Sequence, residues 1–309
     1  MTRRIVELDK AELKQELQRL GEQGFRADQI MTHLYRQRGW GLEGASNIPN
    51  RLKEALLREF ADRTGVVLDR QDSSDGETFK LLLGFPDMEN SVEAVGIQAP
   101  GRATVCVSTQ IGCGLGCRFC ASTMDGLVRD LHWTEIIEQF LAVNQASPHP
   151  VTHVVYMGMG EPLLNYENTV ASLSALTDPE KYGVSNRRIT VSTIGVVEGI
   201  RQLAKEKVHP SLAVSLHAPN QAIRLGIVPT AARWPFECIL EAASDYQKET
   251  GRQVTLEYCL IAKVNDLKAH AAQLGSVIGG MGFAVNLIAF NPVQIGKASC
   301  RERVYSYVV

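Results

Sequence analysis

Residues 102–123 read RATVCVSTQIGCGLGCRFCAST and contain the pattern that decides the fold. The run Ala103–Ser108 is apolar and β-branched, and the loop after it contains Cys113, Cys117 and Cys120 in a Cys-x3-Cys-x2-Cys spacing. Four of the seven cysteines fall within fifteen positions, and an odd total makes a poor disulfide framework for a chain of 309 residues. Such a cluster indicates metal binding or catalysis rather than disulfide bonding.

Further along the chain, short apolar runs alternate with stretches of helical periodicity. Six runs predict β-strands: Ala103–Ser108, Thr152–Met157, Arg188–Thr193, Ser211–Leu216, Val254–Leu260 and Ala284–Phe290. Five stretches predict the helices between them: Trp133–Val143, Glu167–Leu176, Val196–Lys205, Pro235–Gln247 and Lys268–Ile278. This alternation predicts an α/β fold with parallel strands, doubly wound or curled into an open barrel, and a ligand site at the carboxyl ends of the strands.

The amino-terminal part of the chain has a different pattern. Residues 1–62 follow helical spacing at Leu13, Leu17, Leu20, Ile30, Leu34, Tyr35, Leu52, Leu56 and Leu57. Two short apolar runs, Phe79–Leu83 and Val92–Val95, indicate small strands. We therefore expect four regions, namely a helical accessory domain at 1–65, a β-rich connector at 66–100, a core domain at 101–293 and an atypical tail at 294–309.

Composition excludes several classes of protein. Hydrophobic residues make up 45% of the chain and charged residues 21%, which fits a folded globular protein and not a disordered one. The formal net charge of −2 means that nucleic-acid binding would need a local basic patch. No apolar run approaches the roughly 20 residues of a membrane span, and the charged start leaves no signal-peptide core. We therefore expect a cytoplasmic protein that does not bind membranes.

The cysteine spacing suits an iron–sulfur cluster. Three closely spaced thiolates can ligate three irons of a 4Fe–4S cluster and leave the fourth iron open to a small molecule. Gly112, Gly114 and Gly116 allow the backbone to wrap tightly around it. A zinc site completed by Cys106 or His132 is an alternative, although the second short cysteine arm of a zinc knuckle is missing. Three unrelated buried thiols are the remaining interpretation.

Four longer segments of the sequence are also characteristic of a known protein family: Arg102–Cys113, Gly158–Asn165, Val214–Asn220 and Asn286–Val293. Together with the cysteine spacing they resemble the radical S-adenosylmethionine (SAM) superfamily and, within it, the RlmN/Cfr family, from about residue 10 to 293. The resemblance implies an open (βα)6 partial TIM barrel with a small helical N-terminal domain. It also implies an RNA methyltransferase that uses a 4Fe–4S cluster and SAM to modify carbon 2 of an adenosine, or less favourably carbon 8. The expected substrate is 23S rRNA, with tRNA as a second candidate.

The resemblance also implies roles for individual residues. Cys113, Cys117 and Cys120 would ligate the cluster, Glu93 would accept the proton of the adenine carbon, and Cys106 would form a disulfide with a methyl-carrying cysteine. SAM contacts are implied for Gly160, Glu161, Ser192, Ser215, Leu216, His217 and Asn291. In the implied mechanism, one SAM methylates the carrier cysteine. A second SAM yields a 5′-deoxyadenosyl radical that takes hydrogen from the S-methyl group.

The carboxyl-terminal residues depart from the family pattern. The family's carrier cysteine lies in an Ala-Cys-Gly-Gln type motif, which residues 294–309 do not match. Cys300 lies nine residues after Asn291, and nine extended residues span about 30 Å, so distance alone permits Cys300 as the carrier. Its basic neighbours Lys297, Arg301 and Arg303 would favour a thiolate, but nothing in the motif around Cys300 supports that role. A second interpretation is therefore a fragment that binds the cluster and SAM without turning over.

Two other function classes stay open at this point. One is a radical SAM enzyme with a substrate other than RNA, which salt-dependent RNA binding would distinguish. The other is a non-catalytic zinc or iron–sulfur RNA-binding module. For the methyltransferase we expect RNA and an electron donor such as flavodoxin or ferredoxin as partners, and a monomeric state. The expected phosphate contacts are Arg3, Arg4, Arg26, Arg36 and Arg38.

Overall fold

The secondary structure follows the alternation of the sequence closely. A computed structural model describes residues 3–37, 39–85 and 90–290. The described helices are α1 (Lys10–Arg19), α2 (Phe25–Arg36), α3 (Asn50–Glu59), α4 (Trp133–Ala146), α5 (Tyr166–Thr177), α6 (Val197–Leu203), α7 (Gln221–Ile227), α8 (Phe236–Thr250) and α9 (Lys268–Ile278). The described strands are β1 (Val66–Asp72), β2 (Thr78–Gly84), β3 (Ser91–Ala99), β4 (Arg102–Cys106), β5 (Gln110–Gly112), β6 (Leu127–Asp130), β7 (His153–Tyr156), β8 (Ile189–Thr193), β9 (Ser211–Ser215), β10 (Val254–Leu260) and β11 (Ala284–Ala289).

The chain divides into two compact units. The first unit consists of Met1–Ser108, Leu131–Gly158 and Ala171–Ser185. The second unit consists of Thr109–Asp130, Met159–Val170 and Asn186–Val309. No helix among the described residues is long and apolar enough to cross a membrane.

Helices α1 to α3 of the first unit enclose an apolar core. Helix α1 begins at a capping box in which Asp9 accepts from the Glu12 N–H at 2.8 Å and Glu12 accepts from the Asp9 N–H at 2.9 Å. The helical spacing predicted the buried residues Leu13, Leu17, Ile30, Leu34, Tyr35, Leu52 and Leu56 of this core. Leu57 lies in α3 as its spacing predicted, but its side chain is 41% exposed beside the buried Leu56.

The strands of the first unit form a sheet that is covered on one face. Strands β1 to β4 pair antiparallel in sequence order, and β7 joins β4 in parallel. Helix α4 packs against β2, β3 and β4. Phe79, Leu81 and Leu83 are buried, whereas the residues that alternate with them along β2 are only partly buried. This alternation is the expected pattern of a sheet with one face packed on a helix.

Four strands of the second unit form a parallel sheet in the order β8-β9-β10-β11. The parallel pairing predicted from the alternation of strands and helices is therefore confirmed for β8 to β11, and in the first unit for β4 and β7. Val191, Leu212, Val214 and Leu256 are fully buried on one face of this sheet. Helix α8 packs against β10.

A two-stranded ribbon frames the cysteine loop in the second unit. Strands β5 and β6 pair antiparallel, with Gln110 opposite Asp130 and Gly112 opposite Leu127. The cysteine loop connects these two strands, so it does not directly follow β4 as the sequence pattern indicated. The ribbon fixes both ends of the loop because each end leaves from a hydrogen-bonded strand.

Candidate functional site

The three cysteines of the spacing lie on one tight loop of the second unit. Cys113 and Cys117 are buried and Cys120 is partly exposed, and all three are free thiols. The Cys113 N–H donates to the Gly126 carbonyl at 2.9 Å, and the Cys120 N–H donates to the Cys117 carbonyl at 3.1 Å. Gly112 has φ +71°, and a Cβ at this position would lie 1.9 Å from the Gly126 oxygen. Only glycine therefore fits this close approach of the two ribbon strands.

Helix α7 and the 3-10 turn after it support the other side of the loop. The Arg118 N–H donates to the Ile227 carbonyl at 2.9 Å. The Thr230 hydroxyl donates to the Leu115 carbonyl at 3.3 Å. The loop is thus anchored to regular structure at its strand ends and at its middle, which keeps the three thiols in fixed positions.

The thiols lie close enough to affect one another electrostatically. Burial, with smaller contributions from the neighbouring Cys120 and Cys113, raises the pKa of Cys117 to about 12, and Arg224 opposes this rise. Burial also raises the pKa of Cys113, with a contribution from Cys120. Three mutually repelling thiols in a buried loop need a strong positive charge to become thiolates together, and iron ions supply such a charge.

The donor set fits a cluster better than a single ion. No three His, Cys, Asp or Glu side chains among the described residues converge on one metal-ion position. A structural zinc ion needs four ligands around one point, whereas a 4Fe–4S cluster distributes its thiolates over separate irons. The zinc interpretation therefore finds no arrangement in the described part of the chain.

Gly160 and Glu161 form a buried turn next to β5. Gly160 has φ +97°, and a Cβ there would lie 2.5 Å from the Gln110 Cβ. Both oxygens of Glu161 accept backbone N–H groups, from Leu163 at 3.0 Å and Ile194 at 2.8 Å. Burial raises the pKa of Glu161 to about 7, and these two hydrogen bonds partly offset the effect. A hydrogen bond with the Thr193 side chain offsets the effect of burial further.

A polar row runs across β8 to β11 on the face opposite the buried Val191, Leu212, Val214 and Leu256. Ser215 lies opposite Glu257, and Glu257 lies opposite Asn286. The hydroxyls of Ser192 and Ser215 are 3.5 Å apart. Asn286 donates to Glu257 at 2.6 Å, while its buried Oδ1 has no hydrogen-bond partner among the described residues. Polar groups on the inner face of a parallel sheet are expected where a ligand binds.

His217 lies after β9 in a conformation unusual for a residue with a side chain. Its φ is +56°, and its Nδ1 accepts from the Cys259 N–H at 3.0 Å. Burial and the charge of Arg224 lower the pKa of His217 to about 3, so the ring is neutral and its proton is on Nε2. The ring centroid is 4.4 Å from that of Phe119 in the cysteine loop. Leu216, the residue before it, is fully buried.

The two predicted catalytic residues lie in the first unit, on one face of its sheet. Val95 is opposite Cys106 across β3 and β4, and Glu93 lies two residues from Val95 on β3. Because side chains alternate along a strand, Glu93 and Cys106 share a face. Glu93 forms an ion pair with Lys80 on β2, with Oε1 at 2.6 Å from Nζ.

The arginines expected to contact phosphate are largely engaged within the chain. The expectation for Arg4 was wrong, because its side chain is buried and lies 3.8 Å from Glu135. Arg3 pairs with Glu12 at 2.7 Å, and Arg36 donates to the Pro179 carbonyl. Arg26 stacks on Phe25 and donates to Gln29. Arg38, Asn291 and Cys300 lie outside the described residues.

Several polar residues that shape this region were missed by sequence reasoning. Gln110 accepts from the Glu161 N–H at 2.8 Å and donates to Asp130 at 2.7 Å. Arg224 is fully buried in α7. Glu257 is in the polar row of β10. Gln110 was within reach of the sequence, because it belongs to the quoted segment that precedes the cysteines.

Comparisons with known proteins agree with this geometry. The profile of the radical SAM superfamily matches residues 107–274, and that of the ribosomal RNA large subunit methyltransferase N-terminal domain matches residues 4–61. A crystal structure of a radical SAM methyltransferase from Sphaerobacter thermophilus superposes with a TM-score of 0.88 at 39% identity, covering 94% of this chain and 86% of that one.

Two similar sequences carry RNA methyltransferase names. A "probable dual-specificity RNA methyltransferase RlmN 2" of Protochlamydia amoebophila is 44% identical over 291 residues, which are 93% of this chain and 81% of the relative. A "probable dual-specificity RNA methyltransferase RlmN" of Thermotoga neapolitana is 39% identical over 304 residues, which are 98% of this chain and 88% of the relative.

The parallel α/β core, the cysteine loop and these matches define a methyltransferase with the radical SAM fold, as the sequence predicted. Membership in the superfamily implies the use of a 4Fe–4S cluster and SAM. The match of the helical amino-terminal region and the similar sequences identify the family within this superfamily. The chain belongs to the RlmN family of RNA methyltransferases.

Proposed function

We propose that the chain methylates carbon 2 of an adenosine in 23S rRNA, with tRNA as a second substrate. Carbon 2 is the housekeeping reaction among the two that the family performs, so we prefer it to carbon 8. The similar proteins are named dual-specificity RNA methyltransferases, which supports more than one RNA substrate. Two SAM molecules are used for each methyl group, one of them to methylate a carrier cysteine.

The arrangement of three free thiols on one anchored loop carries this proposal. Cys113, Cys117 and Cys120 would each hold one iron of a 4Fe–4S cluster. When bound, the cluster supplies the electron that cleaves SAM to a 5′-deoxyadenosyl radical. The buried position of Cys113 and Cys117 keeps water from the irons that they hold.

Residues of the second unit would bind SAM. The hydroxyls of Ser192 and Ser215 can donate to its polar groups, and the neutral His217 can donate from Nε2. The turn at Gly160 allows close backbone approach, and Glu161 holds that turn in place through its own backbone hydrogen bonds. Leu216 would give an apolar contact, and Asn291 completes the proposed set.

Glu93 and Cys106 would act on the RNA. Lys80 binds Oε1 of Glu93, and we assign Oε2 to accept the proton that leaves the adenine carbon. The thiolate of Cys106 then attacks the sulfur of the carrier cysteine. An S–S bond would replace the C–S bond to the product. The electron pair of the C–S bond would stay on the transferred carbon, which takes up a proton to become the methyl group, and the single electron of the radical adduct would return to the cluster.

Incubation with methyl-labelled SAM tests this proposal. The anaerobically reconstituted protein is given a reductant and a 23S rRNA fragment, and the RNA is digested to nucleosides for mass spectrometry. We expect labelled 2-methyladenosine from the wild-type protein and none from Cys117→Ala or Glu93→Gln. Labelled 8-methyladenosine would contradict the choice of carbon. Peptide mass spectrometry of the same samples locates the methylated carrier and shows whether Cys300 is methylated.

A further inference from the structure

Arg224 is a charged residue that has no role in the proposed function described above. It lies in α7, which begins at Asn220, whose side chain accepts from the Ile223 N–H at 2.9 Å. Its side chain is fully buried and is the largest such side chain in the described chain. Burying a guanidinium is costly unless its charge and its donors find partners. We therefore expect the guanidinium of Arg224 to have a partner for its charge and its donors in the functional protein.

Only some of the N–H donors of this guanidinium have hydrogen-bond partners among the described residues. One Nη2 hydrogen bond goes to the Ile194 carbonyl, and Nε and Nη1 have no hydrogen-bond partner among the described residues. The N–H of the same Ile194 donates to Glu161 at 2.8 Å. Arg224 and Glu161 thus bind the carbonyl and the N–H of the same residue, Ile194, and form no ion pair with each other within the described residues.

The helix that holds Arg224 contacts the cysteine loop. The end of the same helix accepts from the Arg118 N–H, so α7 lies directly against this loop. Arg118 directly follows Cys117 in the sequence, so this contact lies next to Cys117.

We propose that Arg224 donates from Nε and Nη1 to the cluster on its Cys117 side and thereby sets the reduction potential of the cluster. The inference rests on the proposed function, because it requires the cluster at this loop. Hydrogen bonds to the sulfurs and nearby charge are the two means by which proteins tune iron–sulfur potentials. Reduction adds one negative charge to an already anionic cluster, so a buried cation beside it favours the reduced form.

Redox titration of three variants tests the assignment. Arg224→Met removes the charge and the donors, Arg224→Lys keeps the charge and loses the planar set of donors, and Arg201→Met removes an exposed arginine that pairs with Glu241. The cluster is titrated without SAM and followed by EPR, with iron and sulfide measured for each variant. Because the measurement is a midpoint potential, it does not depend on methyl transfer.

We expect Arg224→Met to lower the equilibrium constant of one-electron reduction at least tenfold, a shift of about 59 mV to more negative potential. Arg224→Lys should recover most of this loss, and Arg201→Met should change the constant less than twofold, because its charge is screened by solvent. Arg224→Met with a full cluster and the wild-type potential would overturn the inference. An unchanged potential with weaker SAM binding would also overturn it and would assign Arg224 to the SAM carboxylate.

A measurement on the wild-type protein tests the inference even if the variants fail to bind the cluster. Protein with ¹⁵N-labelled arginine is reduced and studied by pulsed EPR. We expect a ¹⁵N coupling to the reduced cluster that disappears in Arg224→Lys, and the absence of any arginine coupling would overturn the inference. If the wild-type protein binds no cluster at all, the proposed function fails together with the inference. A wild-type cluster without the coupling refutes the role of Arg224 alone.

Discussion

Replacing Gly112 by alanine tests the idea that the ribbon of β5 and β6 holds the cysteine loop. Gly112 has φ +71°, and a residue with a Cβ in this left-handed region costs about 1–2 kcal/mol. The new Cβ would also lie 1.9 Å from the Gly126 carbonyl oxygen, where an ordinary contact needs more than 3 Å. The strands must therefore move apart by more than 1 Å.

That displacement breaks a hydrogen bond of the loop. The Gly126 carbonyl accepts from the Cys113 N–H at 2.9 Å, and losing such a bond costs about 0.5–1.5 kcal/mol. Adding both effects, we expect Gly112→Ala to lower the free energy of unfolding by about 1.5–3.5 kcal/mol and to lower the iron bound after reconstitution.

Two glycines of the same region serve as matched controls. A Cβ at Gly114 would make an ordinary 3.5 Å contact with Leu127, so Gly114→Ala should have little effect. Gly126 has φ +72° with open space around it, so Gly126→Ala should show the backbone cost alone. Urea unfolding and iron analysis measure all three variants. Equal stability and iron content of Gly112→Ala and Gly114→Ala would refute the reasoning.

Three further predictions concern other parts of the chain. Burial raises the pKa of Glu161 to about 7 from an ordinary 4.5, so the folded state keeps an extra proton between these values. The free energy of unfolding of the cluster-free wild-type protein should therefore fall by about 3 kcal/mol, relative to that of Glu161→Gln, as the pH rises from 4.5 to 7. Above pH 7 the difference between the two proteins should stay constant. Parallel pH profiles of the two proteins in urea unfolding would contradict this. Glu138 is buried and accepts from the Thr64 and Gly65 N–H groups. Because Glu138→Gln turns an amide donor toward these N–H groups, it should lower the free energy of unfolding by about 1–3 kcal/mol in the same assay. An unchanged unfolding midpoint would disprove this role of Glu138. Asp9→Ala removes the cap of α1 and should cost about 1 kcal/mol in thermal unfolding, while no shift in Tm would contradict it.

The core strands could be predicted because their residues are buried. Ser211–Ser215 and Val254–Leu260 are short apolar runs of β-branched and aliphatic residues, and each forms a strand within one residue of its expected bounds. By contrast, all of Val66–Asp72 is exposed, because β1 is an edge strand whose partner in the described part of the chain is β2 alone. A strand that buries neither face leaves little hydrophobic pattern in the sequence.

The candidate site was predictable to different degrees. Cys113, Cys117 and Cys120 could be selected because their chemistry depends on spacing along one loop. Arg224 and Arg4 could not be interpreted correctly, since a charged residue on a short helix or at a chain end usually faces solvent. Only tertiary packing shows that both side chains are buried.

Reductive cleavage of SAM tests the central claim most directly. The wild-type protein and Cys117→Ala are reconstituted anaerobically with iron and sulfide, reduced with dithionite and incubated with SAM, and 5′-deoxyadenosine is measured by mass spectrometry. We expect 5′-deoxyadenosine from the wild-type protein and none from Cys117→Ala, because the loop must supply all three cluster ligands. Wild-type protein that contains the cluster but forms no 5′-deoxyadenosine would disprove radical SAM chemistry at this loop, as would equal formation by the variant.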